Sequence, residues 1–185
     1  MVSVFIIPLS PFQDELLPAL AHSLRTSLNT TVVVQRDISL DSVVAFDFSR
    51  HQYNSSALIG NAFDHCTRLD GKILCVTSLD LFVPVLTYVF GEAQLNGKVA
   101  VVSTFRLDET LYGFPANASL LQHRLYKEAL HELGHAFGLV HCRNYQCVMH
   151  SSTSVEEIDV KGEAFCDECK EIAPFPDNTK KAKRN

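Results

Sequence analysis

The sequence pattern with the clearest chemical meaning is the run H-E-L-G-H-A-F-G-L-V-H at residues 131–141. It contains three histidines, His131, His135 and His141, and a glutamate, Glu132, directly after the first of them. On an α-helix, residues four apart project from one face at about 6 Å along the axis, so the first two histidines can bind one ion. Imidazole nitrogens bind Zn²⁺ at about 2.0–2.1 Å, and the pattern therefore predicts a zinc site.

The third histidine needs a change of chain direction, because the next facing position on a straight helix lies a full turn further on. Gly138 reaches positive φ at little cost, so we expect it to end the helix and let His141 approach the metal. Three histidines leave a fourth position open for water or substrate, which is typical of a catalytic zinc site. Glu132, rotated by about 100° from His131, can reach a metal-bound water from the side. The alternative is that these are ordinary histidines at a helix end.

A second candidate metal site follows directly in the sequence. Cys142 and Cys147 are separated by four residues, and Cys166 and Cys169 by two. Four thiolates complete a tetrahedron and leave no position for water, so this zinc would be structural, and it would brace the loop that carries the third histidine. The alternatives for these cysteines are a redox pair at Cys166 and Cys169 or a disulfide framework.

Met149 lies eight residues after His141 and is the only methionine besides Met1. A thioether beneath a three-histidine site would support packing and would not act as a ligand. The extended histidine motif with this following methionine resembles the metzincin metallopeptidases. With the two cysteine pairs added, residues 131–169 resemble one metzincin family, the archaemetzincins.

This resemblance implies a zincin-like fold and a zinc-dependent peptidase that cleaves peptides or small proteins. It also suggests aminopeptidase-like cleavage, although no residue in the sequence encodes that choice. It implies a catalytic zinc on the three histidines, a structural zinc on the four cysteines, Glu132 as general base and Met149 as the Met-turn. It also implies an edge strand above the metal that pairs with extended substrate, for which 87–93 and 98–103 are the two candidates.

The preceding sequence predicts the elements that must position this site. Apolar runs and helical periodicity predict the following series: strand 2–8, helix 16–28, strand 31–35, helix 53–67, strand 72–76, strands 86–90 and 99–103, and helix 120–137. The pair Asn96-Gly97 is a strong signal for chain reversal between the last two strands. Strands that alternate with helices and then form a hairpin predict an α/β (α+β) fold, with a mixed twisted sheet and an antiparallel edge strand.

We expect one catalytic domain over residues 1–175, with an upper subdomain at 1–138 and a zinc-clipped lower subdomain at 139–175. The last ten residues, 176–185, carry a net charge of +3 and read as a basic disordered tail; a nuclear-import or RNA-binding tag is the alternative. The whole chain has a formal net charge of −5, so the residues before this tail carry −8. This negative charge argues against nucleic-acid binding. No apolar run reaches the ~18 residues of a membrane span, and no export signal is visible, so we expect a cytoplasmic monomer.

A function of another class is also compatible with this sequence. A metal-stabilised scaffold could bind a protein partner without peptidase activity, and the four-cysteine cluster fits either function. Glu132 distinguishes the two, because a scaffold has no use for a carboxylate beside an open-coordinate zinc.

Overall fold

The centre of the fold is a five-stranded mixed β-sheet, seen in a computed structural model that describes residues 2–173. The strands are, in chain order, β1 (Ser3–Pro8), β2 (Val32–Val34), β3 (Phe46–Asp47), β4 (Gln52–Asn54), β5 (Gly71–Thr77), β6 (Leu81–Phe82), β7 (Gly91–Ala93) and β8 (Val99–Ser103). The main sheet has the order β2-β1-β5-β8-β7, and the first four of these strands run parallel. Strand β7 runs antiparallel to β8 and forms an edge. Strands β3, β4 and β6 form a small second sheet.

Helices cover both faces of the main sheet. The α-helices are α1 (Leu17–Leu28), α2 (Ser55–His65), α3 (Ala118–Ala136), α4 (Val155–Val160) and α5 (Asp167–Ile172). Alternate residues of β5 divide between two cores: Leu74 and Val76 pack with α1 and α3, whereas Ile73 and Cys75 pack with α2. This division follows from the two-residue period of a strand.

Helix α3 begins and ends with recognisable capping structures. The Asn117 side chain accepts a hydrogen bond from the Leu120 backbone N–H at 3.0 Å and caps its first turn. At the other end Gly138 has φ of 99°, and its N–H donates to the His135 carbonyl at 2.8 Å. The Leu139 N–H donates to the Gly134 carbonyl at 2.9 Å, which completes a Schellman motif. The predicted turn at Gly138 is confirmed, and it sends the chain back towards the helix.

The predicted mixed sheet with an antiparallel edge strand is confirmed, but one strand was misplaced. Residues 86–90 do not form the edge strand, since pairing with β8 begins at Gly91, opposite Val102. Val89 instead bridges to Leu81 of the small sheet. The small sheet itself was not predicted, because its strands are only two or three residues long and carry no readable alternation.

The segment after α3 packs on the same core as α1 and α3. Val148, Met149, Ile158 and Phe165 are buried there, and helices α4 and α5 are each six residues long. The predicted basic tail, 176–185, lies outside the described residues. Within residues 2–173, no helix combines the length and apolar character needed to cross a bilayer.

Candidate active site

Three histidine rings meet at the C-terminal end of α3. The Nε2 atoms of His131 and His135 are 3.1 Å apart, and the centroid of the His141 ring lies 5.3 and 4.9 Å from the centroids of their rings. One nitrogen from each ring belongs to a group whose members all lie within 4.8 Å of one another. Tetrahedral zinc with Zn–N bonds of about 2.0–2.1 Å separates its nitrogen ligands by roughly 3.3–3.4 Å. The structure thus brings the three histidines together at a spacing that suits one zinc ion.

Backbone carbonyls orient two of these rings. His131 Nδ1 is 2.8 Å from the Val148 carbonyl oxygen, and His135 Nδ1 is 2.8 Å from the Leu139 carbonyl oxygen. Because a carbonyl oxygen only accepts hydrogen bonds, each Nδ1 carries the proton and each Nε2 keeps its lone pair for a metal. Burial lowers the pKa of all three histidines, which favours the neutral, metal-binding form.

The Glu132 carboxylate lies directly against the backbone of β7. A Cβ atom on Gly91 would come within 2.7 Å of Glu132 Cγ and 2.8 Å of Glu132 Oε1, so strand and carboxylate touch only because residue 91 has no side chain. Burial raises the pKa of the Glu132 carboxyl well above its ordinary value, and the nearby Glu128 carboxylate raises it further. A carboxyl group with a raised pKa is suited to taking up a proton and returning it.

Glu132 and the three histidines open into a cleft of about 670 Å³. Its lining comes from β7 with the segment that precedes it, from α3, and from residues 151–153. Three exposed apolar side chains also belong to the lining, those of Leu86, Leu95 and Val140. The cleft therefore lies at the sheet edge and includes the three histidines of the candidate metal site in its lining.

The four C-terminal cysteines form a second cluster. Cys142 Sγ is 3.8 Å from Cys166 Sγ, and Cys147 Sγ is 3.7 Å from Cys169 Sγ. Tetrahedral zinc with Zn–S bonds of about 2.3 Å places its sulfurs about 3.8 Å apart, whereas a disulfide requires about 2.05 Å. All four are free thiols in the structure, so the sulfur spacing suits zinc and contains no disulfide. Cys66 and Cys75 are buried free thiols away from this cluster.

Met149 packs beneath the histidine site and connects it to the cysteines. A Cβ on Gly134 would come within 2.3 Å of Met149 Sδ, so the fully buried methionine lies directly under this turn of α3. The Met149 carbonyl also accepts a hydrogen bond from the Cys142 N–H at 2.9 Å. Met149 thus packs directly against the turn of α3 that carries His131 and His135.

Two features of the cleft were not found from the sequence. One is the contact of Gly91 with Glu132, which depends on pairing between strands distant in sequence. The other is an ion pair between Glu128 and Lys161, whose Oε1 and Nζ atoms are 2.6 Å apart in the interior beside the histidines. The only available signal for Glu128 was its position four residues before Glu132, which places both on one helix face.

Comparison with known proteins agrees with this arrangement. A family model described as Peptidase family M54 matches residues 23–173. The archaemetzincin of Archaeoglobus fulgidus is 38% identical over 173 residues, which are 91% of this chain and 96% of that protein. The archaemetzincin of Pyrococcus abyssi is 34% identical over 174 residues, which are 91% of this chain and 93% of that protein.

Solved structures show the same fold. The crystal structure of the Archaeoglobus fulgidus archaemetzincin complexed with malonate superposes with a TM-score of 0.77 at 36% identity, covering 92% of this chain and 99% of that one. A zinc-dependent peptidase from Methanocorpusculum labreanum superposes with a TM-score of 0.81 at 30% identity, covering 91% and 98%. The cleft, the two metal-binding clusters and these relatives lead to one conclusion: the chain belongs to peptidase family M54, the archaemetzincins, and is a zinc metallopeptidase.

Proposed function

We propose that His131, His135 and His141 hold the catalytic zinc and that Glu132 is the general base of peptide hydrolysis. The observation that carries this proposal is the position of the Glu132 carboxylate, which is buried on the helix that carries the histidine pair and lies against the backbone of Gly91. Zinc bound to three histidines supplies Lewis acidity towards a water molecule and a peptide carbonyl. Glu132 accepts the proton of the attacking water and passes it to the leaving amine.

Strand β7 is the surface along which an extended substrate would bind. The backbone of Ser103 donates to Phe90, that of Gln94 donates to Val99, and Glu92 lies opposite Val101. Hydrogen bonding in an antiparallel pair alternates along the strand, so the peptide groups of the intervening residues at 91 and 93 point away from β8. These groups are available to add a peptide strand at the cleft edge, directly above Glu132.

Four cysteines, Cys142, Cys147, Cys166 and Cys169, hold the structural zinc in this proposal. The support is their sulfur spacing and their thiolate chemistry, since four sulfurs complete a tetrahedral shell. A site of this kind supplies folding free energy to a segment whose helices are only six residues long. Met149 supports the histidine site by packing alone.

The experiment that tests the base compares Glu132→Gln with the parent protein, both with zinc content measured. We expect peptide hydrolysis to fall by at least ~10²-fold while both zincs are retained, because loss of proton transfer costs about 10²–10⁴-fold. Unchanged hydrolysis in Glu132→Gln would disprove the assignment. A parent protein that holds two zincs but cleaves no member of a diverse peptide library would favour the scaffold function.

Aminopeptidase-like cleavage is the finer prediction for the substrate. Paired peptides with free and acetylated N-termini test it directly. Products that lose single residues from free N-termini only would support an aminopeptidase, and internal cleavage of both peptides would contradict it. The absence of nucleic-acid binding, the monomeric state and the cytoplasmic location also stay predictions.

A further inference from the structure

The cleft contains a buried ion pair that the proposed reaction does not use. Glu128 lies one helical turn before Glu132 on α3, and its Oε1 atom is 2.6 Å from Nζ of Lys161. The side chains are 5% and 1% exposed, respectively, and Glu128 belongs to the cleft lining. Burying two charges is costly unless further polar groups accompany them. This end of the cleft is therefore polar, in contrast to the apolar residues at the rim.

Hydroxyl side chains share the cleft lining with Glu128. Ser151, Ser152 and Thr153 follow the buried Met149 and all line the cleft. The Ser152 Oγ atom is buried and has no hydrogen-bond partner within residues 2–173. A buried hydroxyl without a partner is unfavourable, so a group that enters the cleft and bonds to it gains that interaction. We call the part of the cleft between Glu128 and residues 151–153 the Glu128 subsite.

The direction of β7 determines which substrate residue reaches the Glu128 subsite. Before this strand, the Tyr88 hydroxyl donates to the Thr153 carbonyl at 2.8 Å, so the N-terminal end of β7 lies beside the subsite. After the strand, the Asn96 N–H donates to the His135 carbonyl at 2.9 Å, at the far end of the active-site helix. A peptide antiparallel to β7, the commoner pairing, has its C-terminal half beside Glu128. Glu128 lies one helical turn from the proposed base Glu132, so we assign the subsite to the residue directly after the scissile bond.

Resting on the proposed function, we propose that the Glu128 subsite selects a neutral hydrogen-bonding side chain, that of Asn, Gln, Ser or Thr, directly after the scissile bond. Lys161 already balances the charge of Glu128, so a second cation would be repelled by the Lys161 ammonium. A substrate carboxylate would be repelled by the carboxylates of both Glu128 and Glu132. An apolar side chain would leave the Ser152 hydroxyl unpaired, and sites built for hydrogen bonding discriminate strongly against such groups.

The test measures kcat/KM for peptides that differ only in the residue after the cleaved bond, with the bond located by mass spectrometry. We expect the parent to prefer Asn or Gln over Leu, Lys and Asp by at least tenfold. The double variant Glu128→Leu/Lys161→Met replaces the ion pair by apolar groups and should reverse the Gln-to-Leu preference. Ser152→Ala keeps the ion pair and should reduce the Gln-to-Leu preference several-fold. This variant therefore tests the proposal independently if the double variant does not fold.

A matched control applies the same chemical change to the exposed ion pair of Asp14 and Arg36, which lies outside the cleft lining. Asp14→Leu/Arg36→Met should leave the preference unchanged. Equal cleavage of Gln and Leu peptides by the parent, or an unchanged preference in Ser152→Ala, would overturn this proposal and leave the proposed peptidase function intact. A zinc-loaded parent that cleaves none of these peptides or a diverse library would overturn both.

Discussion

His131 donates its Nδ1–H to the backbone carbonyl of Val148 at 2.8 Å, and Val148 is the residue directly after Cys147. A proposed ligand of one metal is thus oriented by the peptide group next to a proposed ligand of the other. Cys142 makes a second connection, because it follows His141 in the chain and bonds to the Met149 carbonyl. The two sites share one short stretch of backbone, so a change at the cysteines should be transmitted to the histidines.

The first prediction concerns this connection. Cys169→Ser should remove the structural zinc and also weaken zinc binding at the histidines, because the Val148 carbonyl loses its fixed position. Loss of an outer partner of a metal ligand typically costs 10–100-fold in metal affinity or activity. Zinc per chain and a competitive chelator titration measure the effect. Cys75→Ser, a cysteine buried outside the cluster, is the control. Full zinc affinity at the histidines in Cys169→Ser would show that the sites are independent.

The second prediction concerns the ion network that joins α3 to α4. The Arg124 guanidinium is 4% exposed, contacts carboxylate oxygens of Asp159 and Glu109 at 2.6 Å each, and donates to the Leu107 carbonyl. Arg124→Ala leaves two partly buried carboxylates without their cation and should lower the free energy of unfolding by about 3–5 kcal/mol. Denaturant unfolding measures this change.

Lys170 provides the control for that measurement. Its side chain is 58% exposed and pairs with an Asp167 that is 96% exposed, so Lys170→Ala should cost about 0–1 kcal/mol. A similar loss in both variants would mean that burial of the Arg124 network contributes little to stability.

Local sequence signals predicted the histidine motif, its turn and the cysteine cluster, because each depends on spacing within one helix or loop. Gly138 illustrates this. A third histidine ligand requires the helix to end before His141, and glycine is the residue that adopts the required turn most easily, so both arguments predict the turn at Gly138. The edge strand was harder to place. Residues 86–90 are apolar and read as a strand, but the three residues that pair with β8 include Gly91 and Glu92, which have little strand propensity.

The interior charges of the cleft could not be predicted for a related reason. Glu128 and Lys161 are 33 positions apart in the chain, and each reads in the sequence as an ordinary surface residue. Their burial depends on how the segment after Met149 packs under α3, which is a tertiary contact with no local periodicity. Charged residues are rarely buried without a partner, and here the partner comes from the segment that follows α4.

The third prediction concerns the pH range of zinc binding at the histidines. Protons compete with zinc for imidazole, and an exposed histidine is half protonated near pH 6.5. Burial lowers the pKa of His131, His135 and His141, so these rings remain neutral at lower pH than exposed histidines do. Dialysis at stepwise lower pH, with metal analysis, should show zinc retained at the histidines at pH 6. Loss of this zinc already above pH 6.5 would contradict the prediction.

The last prediction concerns the contact between Gly91 and Glu132. A methyl group at position 91 would come within 2.8 Å of the Glu132 carboxylate, and within 2.6 Å of the Val101 carbonyl oxygen. Gly91→Ala must therefore displace the carboxylate or move the edge strand. A displacement of about 1 Å at a catalytic group can cost ~10²-fold in rate, so kcat should fall by roughly that factor. Zinc content should be unchanged, because His131 and His135 are held by carbonyls outside β7.

A double-variant cycle separates displacement of the Glu132 carboxylate from a general loss of structure. Glu132→Ala removes both Cγ and the carboxylate, which are the Glu132 atoms that an alanine at 91 would overlap. If Gly91 acts by positioning this carboxylate, Gly91→Ala should reduce the residual kcat much less in the Glu132→Ala background than it reduces kcat in the parent. Gly60→Ala on α2, where an added Cβ meets nothing within 4 Å, controls for the methyl group itself. Fully additive losses in the cycle would show that Gly91 acts on the edge strand alone, because residues in contact deviate from additivity.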